Sequence, residues 1–576
     1  MEKQSDKAML QNKARALWAD KRTYGKRLVL AGAAMLAACF TFVFFGPLEM
    51  VAFGVNSLIF TYEDVIGLLF VAMAILTVFG TLIISLLRGK IFNYVIAIIF
   101  TVTVAGYLQA ALLNGSVGAL TGETVEWAEM KREMVISVLA WLAVFLAVIT
   151  VLYFHRAVWR KMVIGVSLLL VVMQCAPLVG ILLGAYEEAK IPEIAKASFS
   201  NDGIQEFSSE DNVLVFILDY MDYDFVETLY NEDPTFFDDF KGFTGYSNAV
   251  STFGRTRPSV CNILTQYTEG AYEITESEFL NNAWKYRETN ILDVLQEKGY
   301  SIEMYASISD IFASSETAAN YVANMKLPHE VEVEIIPSMM LKKLMYLSVY
   351  RYAPMVIKPF FWEYTDFYNE GVCKGSSDSD VFELLLDAQA NRAEKNFKFY
   401  HLEGSHPPCY LNREGMRMPT QTNEYEQTIG CLHLLKNVFA RMQELGIYED
   451  ATIILTADHG DAGKLFENNF NGMQIALFYK PAGSEDAPMV WSDAQVSTTN
   501  IPATIADAVG ADSAQFGVTL DAVGDETNER TFYRVYGIEA KSFKEQYFDI
   551  YTVTGDAGDP ANWSLVDTKR VLNAFY

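Results

Sequence analysis

The order of apolar and polar positions divides the chain into two unequal parts. In the first third, five apolar runs each approach the ~20 residues that a helix needs to cross a bilayer: roughly Leu28–Pro47, Val65–Leu87, Phe92–Leu113, Met134–Phe154 and Met162–Ala185. Beyond Ala185 the period changes. A polar connector over 186–211 leads into continuous apolar runs of strand length at Asn212–Leu218, Ser301–Tyr305, Phe397–Leu402, Ala451–Ala457 and Gln474–Tyr479. Helical patterns at Thr289–Gly299, Glu424–Leu445 and Ile501–Val509 alternate with them. Such alternation predicts an α/β domain over 212–525 whose parallel sheet is covered on both faces. Short β-like runs between Thr531 and Val566 predict a small C-terminal β subdomain over 526–576.

One stretch breaks the alternation. Ser338–Tyr364 is rich in Met, Tyr and Phe and carries a few cations. Packing on the globular core is the expected fate of such a sequence, since Met and aromatic side chains fill cores well. The alternative is a cationic amphipathic helix in a membrane interface, where it would guide a lipid headgroup.

Charge adds an orientation. Eight cations (Lys3, Lys7, Lys13, Arg15, Lys21, Arg22, Lys26 and Arg27) fill the first 27 residues, and further ones at Arg88 and Lys90 and at Arg156, Arg160 and Lys161 mark alternate loops. Lys131 and Arg132 are an exception. Because Lys and Arg stay on the cytoplasmic side of short loops, residues 1–27 read as a cytoplasmic basic arm, 28–185 as five transmembrane helices, and everything beyond as extracellular. The first run is too long for a signal peptide and lacks a small-x-small cleavage site. Of 44 Lys and Arg and 71 Asp and Glu, 15 and 10 precede Tyr186, which leaves 29 against 61 and about −32 beyond it. That balance excludes a nucleic-acid partner and argues against broad adhesion to anionic lipid. The six cysteines contain no C-x-x-C pair, so neither a disulfide framework nor a Cys-based metal site is indicated.

Candidate chemistry collects at strand ends. Asp219 closes the Asn212–Leu218 run, and Asp458 and His459 follow Ala451–Ala457, which is where open α/β sheets bind ligands. With the oxygen of Thr256 these residues supply a four-coordinate divalent site. Thr256 lies between Arg255 and Arg257, just before Pro258; a helix starting there would turn its unpaired N–H groups toward an anion. Thr256 is therefore the candidate nucleophile, with Thr252 and Ser259 as rivals and Arg255 and Arg257 as candidate phosphate contacts. His406, in a loop after a strand, would bind the phosphate or protonate a leaving oxygen. Asp461 is a candidate for orienting His459, whereas His155, His329, His401 and His433 are assigned structural roles.

These residues carry a resemblance. Asn-Val-x-x-x-x-Leu-Asp at 212–219, Thr-x-Pro-Ser at 256–259, Leu-x-x-Lys-Gly-Tyr at 295–300, His-Leu-x-Gly-Ser-His-x-Pro at 401–408 and Thr-x-Asp-His-Gly at 456–460 occur in the order found in the sulfatase-like branch of the alkaline phosphatase superfamily. Five spans before such a domain resemble the lipoteichoic acid synthases and phosphoethanolamine transferases. The resemblance implies an extracellular sulfatase-like domain and one divalent metal ion, Mn2+ or Zn2+, held by Asp219, Thr256, Asp458 and His459. It further implies a bacterial plasma-membrane transferase that moves glycerol phosphate or phosphoethanolamine from a phospholipid donor to a cell-envelope glycan or polymer through phosphothreonine. A phosphodiesterase or sulfatase-type hydrolase of the same fold is the alternative. The departures are specific. The transferases usually carry Glu where Asp219 stands, the sulfatase positions read Tyr220 and Val260, and neither the Trp-x-Arg clamp of one family nor the second histidine of the other has a match, Asn468 and Asn469 standing near the latter.

Overall fold

The computed structural model describes residues 22–54, 62–115, 127, 130–188, 197–326, 336–361, 378–407, 409–418, 421–460, 474–484, 487–524, 527–537 and 546–571. The basic arm up to Lys21, and His329, Cys373, Asp461, Asn468 and Asn469, lie outside them. The chain forms two compact units, Met1–Lys190 with Val333–Lys374, and Ile191–Glu332 with Gly375–Tyr576.

The first unit holds five helices long and apolar enough to cross a membrane: Tyr24–Ala52, Asp64–Leu86, Gly89–Leu113, Lys131–Phe154 and Ala157–Leu183. The first is α-helical over Tyr24–Cys39, widens to a π turn at Phe40–Phe45 and resumes at Gly46–Gly54. Pro47 stands just past the widened turn. It has no N–H and its ring crowds the preceding turn, and a π turn is one way for a helix to absorb both. The Met- and aromatic-rich stretch does not pack on the α/β core. Its helix, Pro337–Tyr352, belongs to the membrane unit, where Met340 and Leu344 pack with Phe44, Leu48 and Leu69.

The second unit is built on an eight-stranded sheet: β1 (Asn212–Leu218), β2 (Thr244–Val250), β3 (Tyr300–Tyr305), β4 (Lys395–Leu402), β5 (Ala451–Thr456), β6 (Gln474–Lys480), β7 (Val490–Ser492) and β8 (Val496–Ser497). The strand order is β7-β2-β6-β5-β1-β4-β3, with β8 also beside β2. Every residue of β1 and β5 is buried, as a sheet covered on both faces requires. One strand departs from the expected parallel arrangement: β6 runs antiparallel to both β2 and β5. It lies immediately beside β5, its predecessor in this sheet, and neighbouring antiparallel strands need no crossover helix. The connector is also shorter than expected. The last membrane helix continues to Glu188, and from 197 onward the chain is built into the second unit, with Glu206–Ser208 paired to Gln389–Arg392 and Phe207 fully buried.

The tail forms an antiparallel sheet of β9 (Glu529–Gly537), β10 (Gln546–Thr554) and β11 (Trp563–Arg570). It braces the segment that carries Thr256. Gly254 N donates to Tyr533 O at 3.0 Å, Tyr533 N donates to Thr252 O at 2.9 Å, and the Phe253 and Tyr533 rings stack at 5.0 Å. Arg530, buried at the start of β9, donates to Asn248 O at 2.7 Å and to the Gly555 carbonyl. Arg530→Ala strips both carbonyls of their charged donor, and a loss on the order of 2–3 kcal/mol is expected. Chemical unfolding of the detergent-solubilised full chain measures it; a midpoint equal to wild type would show that the brace does not contribute.

Candidate active site

Three neighbouring strands bring the central side chains together. In the register of β4, β1 and β5, His401 stands opposite Ile217, which stands opposite Thr456. Asp219 and Asp458 each lie two residues further along, so the alternation of side chains puts all three on one face at the carboxyl edge. One ligand atom from each of Asp219, His401 and Asp458 falls within 4.8 Å of the others. His401 Nε2 is 3.9 Å from Asp219 Oδ2 and 4.0 Å from Asp458 Oδ2. The structural role assigned to His401 from sequence is thus corrected. A histidine one position before a strand end, beside a strand ending in Asp, was the available signal.

His459 approaches the same carboxylates from another side. Its Nε2 is 3.6 Å from Asp219 Oδ1 and 3.6 Å from Asp458 Oδ2, and its Nδ1 lies 2.9 Å from Gly460 O. A carbonyl accepts only from a protonated nitrogen, so this contact assigns the proton to Nδ1 and leaves the Nε2 lone pair facing the cluster. Thr256 completes the group. Its hydroxyl lies 3.2 Å from Asp219 Oδ2 and 3.3 Å from His459 Nε2. Thr256 opens the Thr256–Thr265 helix after Arg255, which has an extended backbone. Pro258 is tolerated in that first turn, which has no N–H partners to lose. Neither rival hydroxyl takes part: Ser259 Oγ is buried and donates to Phe253 O at 3.0 Å, and Thr252 is buried.

The remaining candidates surround this cluster. His406 lies edge-on to the Tyr220 ring at 5.9 Å, and His459 lies edge-on to the same ring at 5.8 Å, so one aromatic ring contacts both imidazoles. Arg255 flanks Thr256 and is half-buried. Arg257 is engaged by acids, with Nη1 2.9 Å from Glu276 and Nε 3.5 Å from Asp310, whose other carboxylate oxygen lies 4.0 Å from His401 Nδ1. Sequence reasoning passed over three supporting residues. Tyr220 adopts φ +65° and donates its N–H to Asp458 Oδ1 at 3.3 Å; a bulky residue in that region stores strain, typically at functional sites. Asp310 faces His401, and buried Asp378 accepts the N–H groups of Glu403 and Gly404 at 2.9 and 2.8 Å, fixing the loop that carries His406. Neither Asp310 nor Asp378 stands in a motif that marks it, and Tyr220 is marked in sequence only as a departure from the sulfatase pattern.

The electrostatics favour a cation. Burial lowers the His401 pKa, keeping the ring neutral and its lone pair available. Burial opposes charge on Asp458, yet its neighbours, among them the His459 N–H donating to Oδ1 at 2.8 Å, outweigh it and hold the carboxyl below its usual range. His401 Nε2 and Asp458 Oδ2 are buried with no hydrogen-bond partner among the described residues. Orphaned donor atoms beside two adjacent carboxylates fit a divalent ion bound through oxygen and nitrogen.

The chain matches the family described as Sulfatase over residues 211–511, more than half of its length. It belongs to the sulfatase family. Residues 211–511, most of them in the second unit, therefore form a sulfatase domain. No curated protein matches in sequence. Solved structures similar to it include an alkaline phosphatase superfamily protein from Vibrio parahaemolyticus (13% identity, TM-score 0.36, covering 63% of this chain and 83% of that one). The phosphonate monoester hydrolase of Silicibacter pomeroyi aligns at 14% identity and TM-score 0.35 over 61% and 88% of the two chains. The lipoteichoic acid synthase LtaP of Listeria monocytogenes aligns at 11% and 0.35 over 65% and 91%.

Gly404 tests the geometry of this sulfatase site. It has φ +54°, and a Cβ there would stand 2.6 Å from Asp219 N and Leu218 C, while Ser405 N donates to Asp219 O at 2.8 Å. Gly404→Ala must push the loop off the end of β1, at a cost on the order of 1–3 kcal/mol. A lowered unfolding midpoint together with weaker divalent-metal binding is expected by calorimetry; an unchanged metal affinity would uncouple the loop from Asp219.

Proposed function

We propose that this protein is a membrane-bound transferase that moves a phospho-alcohol headgroup, glycerol phosphate or phosphoethanolamine, from a phospholipid to a cell-envelope glycan or polymer through a phosphothreonine intermediate. The observation that carries this reading is the Thr256 hydroxyl at 3.2 Å from Asp219 and 3.3 Å from His459. A threonine cannot be converted to the aldehyde that sulfatase chemistry uses, but it can form a phosphodiester. Asp219, Asp458, His459 and Thr256 would hold a divalent ion, Mn2+ or Zn2+, with His401 as a further donor. Bound there, the ion lowers the pKa of a nearby hydroxyl and polarises a phosphoryl oxygen.

The chain's own residues supply position and protons. The Thr256 hydroxyl donates to Asp219 Oδ2 at 3.2 Å, which aims its oxygen. The first-turn N–H groups of the Thr256–Thr265 helix face the phosphate, with Arg255 and Arg257 at its edge. The bond from Thr256 Oγ1 to phosphorus forms as the bond to the diacylglycerol oxygen breaks; the Thr256 proton passes to Asp219 Oδ2, and the diacylglycerol oxygen takes a proton from His406. An acceptor hydroxyl then attacks phosphorus and returns its proton to His406, as Thr256 Oγ1 leaves and takes its own back from Asp219. In this reading the catalytic unit works at a plasma membrane and outside the cell, supported by the five apolar helices and by the distribution of cations between loops.

Full-length protein in mixed micelles of phosphatidylglycerol or phosphatidylethanolamine, with Mn2+ or Zn2+, is expected to gain a headgroup-sized mass on the peptide containing Thr256. Thr256→Ala or a chelator abolishes the gain. Free headgroup released without acceptor, and no adduct at any time, would instead establish a hydrolase.

A further inference from the structure

The membrane unit contains a segment that the sequence places inside the catalytic domain. The chain passes from β3 and the Met325–Lys326 strand of the second unit to the Pro337–Tyr352 helix of the first, then back to the Asp378–Leu386 helix of the second. The two units are thus joined covalently at three places: 189–196, 327–335 and 362–377.

The seat of the Pro337–Tyr352 helix on the spans is specific. Arg351 forms a two-point ion pair with Glu49 at the far end of the first span, Nη2 to Oε1 at 3.0 Å and Nε to Oε2 at 3.1 Å, with side chains only 11% and 20% exposed. Ser348 Oγ donates to Phe42 O at 2.6 Å, in the π turn, where the wider helix leaves carbonyls unpaired. Asn114 Nδ2 donates to Arg351 O at 2.9 Å. Ser137 Oγ accepts from Met355 N at 3.0 Å and donates to Gln109 Oε1 at 2.7 Å. Buried Lys358 closes the helix end, donating to the carbonyls of Tyr350 and Arg351. Gly46 completes the fit: a Cβ there would lie 2.6 Å from the Tyr352 ring.

We propose that residues 337–361 are a second membrane anchor, whose occupied docking surface is formed by the first four spans, so that cleavage of the 189–196 connection does not release the catalytic unit. The unit could not be retained by charge, since the chain beyond Tyr186 carries about −32 and anionic lipid repels it. A buried ion pair of this kind is strongly destabilising to break from one side, which gives the anchor a single vulnerable contact. The inference depends on the five helices being membrane spans and not on the chemistry at Thr256.

The test uses the full chain in sheared membranes, with site-specific protease sequences inserted at the three connections. After complete cleavage within 189–196 alone, more than nine-tenths of the C-terminal fragment is expected to sediment with the membranes at physiological salt. The same cut combined with Arg351→Glu, which sets two carboxylates against each other, should move at least half of it to the supernatant. Gly46→Leu, acting by bulk instead of charge, should do likewise. Cutting all three connections should release the catalytic unit entirely. Release after the first cut alone would overturn the proposal, and so would retention after all three, because the unit would then be held by something other than this helix.

Discussion

The arrangement of the catalytic unit depends on two carboxylates, Asp219 and Asp458, held side by side at the ends of adjacent strands and largely out of water. Like charges at such spacing raise each other's pKa unless positive charge answers them. Two imidazoles face the pair, His459 at 3.6 Å from each carboxylate and His401 at about 4 Å. His401 is driven neutral by its burial, so it offers a lone pair more readily than a charge. The cluster is thus poor as a closed salt bridge and well suited to a divalent cation.

Holding that pair requires backbone that ordinary sheet geometry does not provide. Tyr220 takes a left-handed conformation directly after Asp219, which turns its N–H onto Asp458 Oδ1. Gly404, also at positive φ, lets the His406 loop lie against the same strand end with no room for a side chain. Tyr220 also makes edge-on ring contacts with both His459 and His406. Asp378 from below and β9 from the side then fix the two loops that bear His406 and Thr256. Each group that does chemistry is therefore located by a neighbour that does none.

The sequence made the framework legible wherever a local pattern dictated it. Five apolar runs became five long helices, and the strand expected at 212–218 is β1 to the residue. Asp219, Thr256, Asp458 and His459 are all found together because each stands at an element end that its own neighbours define. What sequence could not show is what depends on register. His401 became a site residue only because β4 lies beside β1, and β6 reversed because it neighbours β5. Asp310 and Asp378 act across elements, so no local spacing could mark them. The 337–361 segment was misplaced for a related reason: Met and aromatic residues fit a protein core and a helix packed on membrane spans equally well, and composition does not choose between them.

That ambiguity is resolved by polar atoms. An ionisable residue near a membrane span is costly unless it is paired, and Glu49 meets Arg351, 302 positions later in the chain. Gln109, Asn114 and Ser137 pair among themselves and with the backbone of the same segment. Apolar packing alone would let the helix slide along the spans, because dispersion contacts are interchangeable. Hydrogen bonds from fixed donors to particular carbonyls permit one register. The polar residues are few beside the apolar ones, yet they determine which surface of the spans this helix occupies.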